Sequence, residues 1–417
     1  MGRAVLHSTH GGNMQLPFDK KDGLLHGVRI LEIGSMVAGP VSATLLADFG
    51  AEVIKLEQPG EGDPIRKSGP MYKDESLWWN VEGRNKRSVT LDLHKPQGQE
   101  LLRDLVKHAD VLIENFRPGT MDRWNVGYAR LKELNPKLIM LSISGYGQTG
   151  PNSALPSYDR VALAFAGFLN VTGYADRPPV RPGFPVADYQ TALYGAFAIM
   201  MALYHRDARG GTGQQIDLSL FETVFRFTEV LITAYDKLGI VRQRTGNASH
   251  AASPGDHYLT HDGRYLALTI AADTVFARLC SALGRPELAT APRFAKHAER
   301  VKHYQEINGI VADWIRSNPV AHVCAALNGN GVPHSLVHSP AEIAIDPHFA
   351  ARGAIATVDH PRLGPLKMPA AVPLMSETPA PALRVAPQLG EDTEKVLQEL
   401  LEIGPERLGE LRREGVV

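Results

Sequence analysis

One carboxylate lies between a Pro/Gly-rich loop and a long apolar segment. The stretch RPPVRPGFPVADYQTALYGAFAIMMALYHR runs from Arg177 to Arg206, and Asp188 follows the loop directly. A carboxylate at such a position often caps a helix by accepting backbone N–H bonds. It can also act as a nucleophile, because attack on a thioester gives a mixed acid anhydride and releases a thiolate. From this stretch alone, both interpretations remain open.

The nucleophilic interpretation of Asp188 makes two demands on its surroundings. An acyl anhydride hydrolyses readily, so the site must exclude water, and the nearly uncharged helix behind Asp188 suits that need. The carboxylate must also be ionised in order to attack, and the positive end of a helix dipole favours the ionised form. The sequence therefore predicts an ionised Asp188 at the start of an apolar helix.

Two further segments carry groups that suit a nucleotide. Asn115, Phe116, Arg117 and Arg123 lie at or just past the end of a predicted strand in ENFRPGTMDRW. An amide, an aromatic plane and two guanidinium groups fit an adenine nucleotide, although Phe116 also suits a core position and Arg123 a helix end. The second segment is basic and is either a solvated loop or a phosphate clamp; its cations are Arg84, Lys86, Arg87 and Lys95.

The elements that must position these groups alternate between strand and helix. Val28–Ile33 and Ala51–Glu57 are apolar strands separated by a helix over Pro40–Phe49, which predicts a parallel pair. The same alternation continues for about 120 residues and indicates a doubly wound α/β domain. The other predicted strands are Ser88–Leu93, Asp110–Phe116 and Leu138–Gly147, with helices over Gly98–Ala109 and Tyr128–Asn135.

The first strand–helix–strand unit resembles a dinucleotide-binding unit only in part. Glu57 ends the second strand, where an acidic residue often binds a ribose hydroxyl. The G-x-G-x-x-G fingerprint is absent, however, since only Gly34 and Gly39 are present in the turn. A nicotinamide site is therefore disfavoured. The turn is either purely structural or holds a nucleotide-like ligand such as the ADP part of coenzyme A.

The predicted secondary structure changes beyond this domain. Tyr158–Leu238 is predicted to be mostly helical, and Asp262–Gly263 marks a hairpin turn in a smaller α+β domain. The predicted organisation begins with a flexible N-terminal arm at 1–22 and the N-terminal part of a large α/β domain at 23–215. A helical linker at 216–248, a small domain at 249–332 and a Pro-rich linker at 333–387 follow, and a C-terminal helical segment at 388–417 returns to the large domain.

Composition excludes several classes of protein. A net charge of -1 gives no sign of a nucleic-acid-binding protein, and no apolar run reaches the length of a membrane span. The chain has two cysteines in no redox or metal spacing and no apolar signal region, so a cytoplasmic protein is expected. His257 and His261 are four apart, but they lie in a strand-and-turn segment, and no metal site is predicted.

Six collinear stretches resemble one enzyme family. The chain is similar to the class III coenzyme A transferases, the group that includes formyl-CoA transferase and the carnitine CoA-transferase type. The resemblance runs from about Leu24 to Gly263 and fades towards the C-terminus. The stretches are LEIGSMVAGPVSATLLADFGAEVIKLEQPGEGDPIR, NKRSVTLDLHKPQG, ADVLIENFRPGTMDRW, YDRVALAFAGFLNVTG, PPVRPGFPVADYQTALYGAFAIMMALYHR and GTGQQIDLSLFE.

The resemblance implies a fold, a partner and a mechanism. The fold is a Rossmann-like large domain with a smaller inserted α+β domain, and two chains interlock in an obligate homodimer. Asp188 matches the family's nucleophile, which forms an aspartyl anhydride and then an aspartyl-CoA thioester. CoA and acyl-CoA are substrates, and no tightly bound cofactor is implied. The implied CoA contacts are Val37, Ala38, Leu91, Asp92, Leu93, His94, Asn115, Phe116, Arg117, Arg123, Tyr158 and Asp159.

Departures from the family pattern narrow the expected substrates. Val37 stands where formyl-CoA transferase has glutamine, and NASHAASPGD replaces its glycine run, which argues against formyl or oxalyl specificity. Succinyl-CoA or another dicarboxylyl-CoA is the expected donor, with a small organic acid as acceptor. Arg181, Arg226 and His250 are candidate partners for a distal carboxylate.

Two alternatives to CoA transfer are kept. An acyl-CoA racemase of the same fold would carry a His ahead of its aspartate, and this chain has Tyr158 in the matching stretch instead. The second alternative is a catalytically inactive CoA-binding paralogue, against which the presence of Asp188 in its motif argues.

Overall fold

The structure is a computed structural model that describes residues 23–249 and 251–417. The predicted N-terminal arm and His250 lie outside the described residues. In chain order the strands are β1 (Arg29–Glu32), β2 (Glu52–Glu57), β3 (Met71–Tyr72), β4 (Glu75–Ser76), β5 (Lys86–Thr90), β6 (Val111–Glu114), β7 (Ile139–Ser144), β8 (Gln215–Ser219), β9 (Gly255–Leu259), β10 (Tyr265–Thr269), β11 (His334–Leu336), β12 (Ile355–His360) and β13 (Gly364–Pro369).

The helices connect and cover these strands. One of them, α7, is 23 residues long. No helix in the described part of the chain combines the length and the apolarity that crossing a bilayer requires. In chain order they are α1 (Ala38–Ala47), α2 (Leu77–Glu82), α3 (Pro96–Val106), α4 (Thr120–Arg123), α5 (Tyr128–Leu134), α6 (Asp159–Phe165), α7 (Val186–Ala208), α8 (Leu220–Arg226), α9 (Leu231–Leu238), α10 (Asp273–Ala282), α11 (His297–Lys302), α12 (Tyr304–Arg316), α13 (Val320–Gly329), α14 (Pro340–Ile343), α15 (Pro347–Ala351), α16 (Thr393–Leu401) and α17 (Pro405–Arg413).

Six parallel strands form the central sheet in the order β5-β2-β1-β6-β7-β8. This confirms the predicted α/β class with a parallel sheet. The sixth strand, β8, lies inside the span that was predicted to be mostly helical. Its five residues follow a glycine-rich break and are too few to show a clear period, so the sequence pattern did not separate them from the neighbouring helices.

Apolar side chains cover both faces of this sheet. On one face, Leu102, Leu131 and Val396 from α3, α5 and α16 join strand residues such as Leu31 and Leu112 in one buried cluster. On the other face lie α1 and α7. These two helices approach closely at Gly195, where an added Cβ would meet the Ser42 hydroxyl oxygen at 2.6 Å. Glycine at this position therefore allows α7 to lie against α1.

The described residues form two compact units. The first comprises the described residues up to Ala166 together with Gly183–Phe227 and Gly353–Val417. The second comprises Gly167–Pro182 and Thr228–Arg352. The hairpin β12–β13 belongs to the first unit. It lies within the segment that was predicted to be a Pro-rich linker. The domain boundaries drawn from the sequence stay a prediction.

The second unit contains a small antiparallel sheet in the order β11-β10-β9. Its core packs Leu266 and Leu268 of β10 against Phe276, Val311 and Val323 from three helices. The turn between β9 and β10 contains Gly263 at φ 78°, a left-handed conformation that favours glycine. The predicted hairpin turn at Asp262–Gly263 is therefore confirmed.

Candidate active site

A cavity of about 200 Å³ opens where two neighbouring strands of the sheet end. From β1 the chain moves to β2 on one side and later returns to β6 on the other, so the strand order reverses there. Ligands in open α/β sheets bind at such switch points, outside the carboxyl ends of the strands. The cavity is lined by Ser35–Ala38, Asn115–Pro118, Ile143–Gly145, Leu155–Tyr158, Asp188 and Leu220.

The turn after β1 forms one wall of this cavity. Asn115, which follows β6, bonds to the turn at both ends of its amide. Its Oδ1 accepts the Ser35 backbone N–H at 2.8 Å, and its Nδ2 donates to the Ser35 carbonyl at 2.8 Å. The two strand ends are thereby tied together. Asn115 was expected to contact an adenine nucleotide, but its amide group is bonded to the protein instead.

Asp188 is the third residue of α7 and lines the cavity. The N-cap position is Pro185, which makes no side-chain cap bond. The interpretation of Asp188 as a helix cap is therefore wrong, because its side chain belongs to the first turn and not to the residue before it. The carboxylate of Asp159 supplies the missing acceptor, since its Oδ1 accepts the Ala187 backbone N–H at 2.7 Å.

The electrostatics of Asp188 differ from the expectation. Its side chain is half-buried, and burial together with the Asp159 carboxylate raises the pKa of Asp188 to about 7. The prediction that the helix N-terminus keeps this group fully ionised is therefore wrong. Loss of water and repulsion from a second carboxylate outweigh the favourable end of the helix dipole. A carboxyl group with a pKa near neutrality in a cleft is also a mark of functional sites.

The residue after Asp188 anchors the start of α7. The Tyr189 hydroxyl donates to Glu82 Oε1 at 2.8 Å and accepts from Trp78 Nε1 at 3.1 Å. Further along α7, the Ser42 hydroxyl donates to the Ala192 carbonyl at 3.1 Å. These contacts fix the helix that presents Asp188. No motif in the sequence links Tyr189 with Trp78 and Glu82, which lie 111 and 107 residues before it, so these contacts were not predicted.

A cluster of three aromatic rings joins two of the predicted binding segments. Trp124 packs edge to face on Phe116 and on His94, each with ring centroids 5.2 Å apart. Trp124 therefore connects the segment after β5 with the segment after β6. Trp124 was not predicted as a site residue, although an aromatic residue in the same motif as Arg117 and Arg123 was a usable signal.

The structure divides the predicted site residues into two groups. Six of them line the cavity with Asp188: Val37, Ala38, Asn115, Phe116, Arg117 and Tyr158. The other six do not line it: Leu91, Asp92, Leu93, His94, Arg123 and Asp159. Leu91 and Leu93 belong to the buried core of the sheet, so only their backbone is available to a ligand. Arg123 is exposed, and its Nη2 donates to the Thr120 hydroxyl at 2.9 Å.

The four cations of the basic segment after α2 bond to other groups of the protein. Arg84 pairs with Asp48 at 2.6 Å, and Lys86 pairs with Glu32 at 2.9 Å, with both cations buried. Arg87 pairs with Glu52 at 2.8 Å, and Lys95 donates to the Gly415 carbonyl at 2.9 Å. The phosphate-clamp interpretation is therefore wrong for Arg84 and Lys86, because a ligand cannot reach their charged groups.

Arg181 and Arg226, two of the candidate partners for a distal carboxylate, do not line the cavity. Arg181 belongs to the second unit, and its Nη1 donates to the Pro182 carbonyl at 2.8 Å. Arg226 is exposed at the end of α8, and His250 lies outside the described residues. Arg117 is the cation that does line the cavity.

A larger cavity, of about 820 Å³, lies in the second unit. Its lining includes Leu231 and Ala234 of α9 and the segment Val301–Glu306. It contains none of the predicted site residues. The smaller cavity is the candidate active site, because it combines a half-buried carboxyl group with the strand ends at a switch point.

Comparisons with known proteins agree with this geometry. The model described as CoA-transferase family III matches residues 25–393. The chain is 41% identical over 394 residues to succinyl-CoA–D-citramalate CoA-transferase of Chloroflexus aurantiacus, covering 94% of this chain and 98% of that protein. It is also 41% identical to the beta subunit of succinyl-CoA–L-malate CoA-transferase of the same organism, covering 94% and 98%.

A solved structure supports the same assignment. The crystal structure of a CAIB/BAIF family protein from Brucella suis matches with a TM-score of 0.80 and 33% identity, covering 91% of this chain and 100% of that one. The sequence match and the fold match both extend over nearly the whole chain. The chain therefore belongs to CoA-transferase family III.

Proposed function

We propose that Asp188 is the nucleophile in a transfer of coenzyme A from one carboxylic acid to another. The observation that carries this proposal is the position of Asp188. It is half-buried in the first turn of α7 and lines the cavity at the carboxyl ends of β1 and β6. A carboxyl group in this place meets the donor thioester where water has limited access.

The first half of the proposed reaction cleaves the donor. A carboxylate oxygen of Asp188 bonds to the acyl carbon, the C–S bond breaks, and CoA leaves as a thiolate. The thiolate then attacks the aspartyl carbonyl of the anhydride. This releases the donor acid as its carboxylate and leaves Asp188 as a CoA thioester. Because CoA is both the leaving group and the next nucleophile, it must stay bound, which is the proposed role of the segments around Phe116 and His94.

The second half builds the product. The acceptor carboxylate attacks the aspartyl-CoA thioester, which forms a second anhydride and again releases CoA thiolate. The thiolate then attacks the acceptor carbonyl of this anhydride, and the Asp188 carboxylate is regenerated as the new acyl-CoA leaves. No oxidant, metal or external base enters this balance, and no tightly bound cofactor is part of the proposal.

The proposed donor is succinyl-CoA, and the proposed acceptor is a small dicarboxylic acid. The support is that both Chloroflexus relatives are named for succinyl-CoA, with citramalate or malate as the second acid. Arg117 lines the cavity and is a candidate to meet a second carboxylate. A panel of acids tested with one donor decides among acceptors.

The proposed assembly is an interlocked homodimer. One side of α7 exposes a row of large apolar residues at helical spacing, which an isolated chain would leave in water. A second copy of the chain is the proposed cover for this row. We expect sedimentation at about twice the 45.4 kDa chain mass, and a single-chain mass at micromolar concentration would contradict this. The row consists of Leu193, Phe197, Met200, Met201 and Tyr204.

The decisive experiment looks for the covalent intermediate. After incubation with succinyl-CoA, mass spectrometry of the Asp188 peptide is expected to show a CoA thioester or a succinyl adduct. Asp188→Ala is expected to lose at least about 1000-fold in kcat, since it removes the nucleophile. The matched control is Asp207→Ala, which changes an exposed aspartate at the far end of the same helix.

The alternatives give different results in this experiment. A racemase of the same fold incorporates deuterium at the α-carbon of an acyl-CoA and forms no adduct. An inactive paralogue binds CoA without either reaction. Normal turnover by Asp188→Ala would show that another group is the nucleophile.

A further inference from the structure

Four buried charged side chains hold the turn that faces Asp188. They alternate in sign along a chain of contacts, Lys86–Glu32–Lys55–Asp63, which we call the charge chain. Glu32 Oε1 accepts from Lys55 Nζ at 2.6 Å, and Glu32 Oε2 accepts from Lys86 Nζ at 2.9 Å. Lys55 Nζ also lies 2.8 Å from Asp63 Oδ2. Glu32 and Lys55 are fully buried, and Asp63 and Lys86 nearly so.

Three further bonds of the charge chain go to backbone groups in the turn or just after it. Lys55 Nζ donates to the Gly34 carbonyl at 2.9 Å, where the turn begins. Lys86 Nζ donates to the Pro40 carbonyl at 2.8 Å, just beyond its end. In the middle, the Met36 backbone N–H donates to Asp63 Oδ1 at 3.0 Å. The charge chain therefore bonds to the turn at its start and middle and to the first turn of α1, which follows it.

The middle of the turn has a conformation that needs support. Met36 has φ 65°, in the left-handed region that residues with a Cβ seldom adopt. Such outliers persist only where the surroundings determine them, and they gather at functional sites. Here the determining contact is the Asp63 carboxylate, whose second oxygen is held by Lys55. Met36 itself lines the cavity beside Val37 and Ala38.

Stability alone does not account for this arrangement. Burying ions costs desolvation free energy, and well-packed apolar residues are often as good or better for stability. What buried ions supply is fixed geometry, because each ammonium and carboxylate has a set number of bonds to satisfy. In this protein the bonds to Gly34 and Met36 reach one turn, and that turn lines the cavity containing Asp188. Asp63 Oδ1 also accepts the Ile65 backbone N–H at 2.9 Å, outside the turn.

We propose that Asp63 and Lys55 are positioning residues for CoA transfer, which hold Met36 in its left-handed conformation so that Ser35–Ala38 face Asp188 in reactive geometry. The proposal rests on the proposed role of Asp188. A displacement of about 1 Å in a group that orients the reacting atoms is enough to cost about 100-fold in rate. Loss of the charge chain is therefore expected to lower kcat more than it raises KM.

The test variant is Asp63→Asn, which keeps the size of the side chain and an oxygen for the Met36 N–H but removes the charge that pairs with Lys55. We expect kcat to fall about 10- to 100-fold while KM for succinyl-CoA changes less than about threefold. Hydrogen exchange of the Met36 amide is expected to speed up. The matched control is Asp48→Asn, a buried carboxylate at the other end of α1 that pairs with Arg84 at 2.6 Å.

A rescue distinguishes positioning from general weakening of the fold. Glycine adopts φ 65° without a steric cost, so Met36→Gly is expected to recover at least about fivefold of the kcat lost in Asp63→Asn. Asp48→Asn is expected to lower the melting temperature without changing kcat or Met36 exchange. Equal kinetic effects of Asp63→Asn and Asp48→Asn, or no recovery with glycine, would overturn the proposal.

Two measurements keep the proposal testable if Asp63→Asn does not fold. Met36→Val places a β-branched residue in the left-handed region, whereas Met36→Leu does not. The valine variant is expected to lose at least about tenfold more kcat than the leucine variant, and equal losses would contradict the proposal. Hydrogen exchange of the turn does not depend on the reaction, so it still reports on the charge chain if Asp188 proves not to be the nucleophile.

Discussion

Asp63 and Asp188 lie near the same cavity, but their pKa values are shifted in opposite directions. Asp63 holds the turn on one wall, and Asp188 lines the cavity itself. Burial would raise the pKa of Asp63, but the Lys55 ammonium and the N–H groups of Ile65 and Met36 outweigh it and hold that pKa below its usual value. Asp188 has burial and the Asp159 carboxylate instead, and its pKa rises to about 7. The two pKa values differ because the neighbouring groups differ, since burial alone would raise both.

This comparison explains how aspartate can suit both proposed roles in one site. A carboxylate that is satisfied by a cation and N–H groups is fixed, charged and unreactive, which suits a positioning group. The structure records no hydrogen bond to the Asp188 carboxyl group from any described residue, which leaves its oxygens available to a substrate. A nucleophile that was already bonded would have to break those bonds before it attacked.

The pH dependence of the reaction is the larger of two tests of this comparison. Because Asp188 must lose its proton to attack, kcat/KM is expected to rise with pH to a plateau, with a midpoint near 7. Asp159→Asn removes a negative charge yet keeps an oxygen for the Ala187 N–H. We expect the midpoint to fall by about 0.5–1 pH unit, so that activity at pH 6 rises several-fold.

The control for this pH test is Asp63→Asn. It is expected to lower the plateau of the pH profile and to leave the midpoint in place, because Asp63 acts through the geometry of the turn. If Asp159→Asn does not move the midpoint, burial alone sets the pKa of Asp188. If Asp63→Asn moves the midpoint as far, the two aspartates are not separated in role.

Much of the frame of this site was predictable from the sequence. Apolar strands alternating with helices gave a parallel sheet, and the ends of β1 and β6 were therefore expected to meet a ligand. Asp188 was singled out because it closes a Pro/Gly loop before an apolar helix, but this position left the cap and the nucleophile both open, and the choice of nucleophile came from the resemblance to the family. These are local signals, and each is contained in about thirty residues.

The parts that were missed depend on contacts between distant segments. The pKa of Asp188 is set partly by Asp159, which lies 29 residues earlier on another helix. Lys86 was assigned either to a solvated loop or to a phosphate clamp, because the sequence shows its charge but not its burial beside Glu32. The left-handed conformation of Met36 had no sequence signal, since methionine is an unusual residue there. The sequence gives the sign of each charge, but only the folded structure shows which charges pair.

The smaller test compares how the two aspartates affect stability. A raised pKa means that the folded state holds its proton more tightly than the unfolded chain does, so ionisation of Asp188 costs stability as pH rises from about 4 through 7. Asp188→Asn, which resembles the neutral acid, is therefore expected to raise the melting temperature by about 1–4 °C at pH 8. The gain is expected to vanish near pH 3, about one unit below the usual aspartate pKa of about 3.9, where both states of the wild-type protein hold the proton.

Asp63→Asn is expected to change stability in the opposite direction. Its lowered pKa means that the charged form stabilises the fold above the usual pKa of an aspartate, and that this stabilisation is lost as pH falls through the lowered value. The variant should therefore melt lower than the wild type at pH 8, and the gap should narrow in acid. Calorimetry from about pH 2 to 8 checks both signs, because the loss for Asp63 lies below the usual aspartate pKa of about 3.9. A lower melting temperature for Asp188→Asn at pH 8 would mean that its carboxylate stabilises the start of α7 after all, and that the two aspartates differ in reactivity alone.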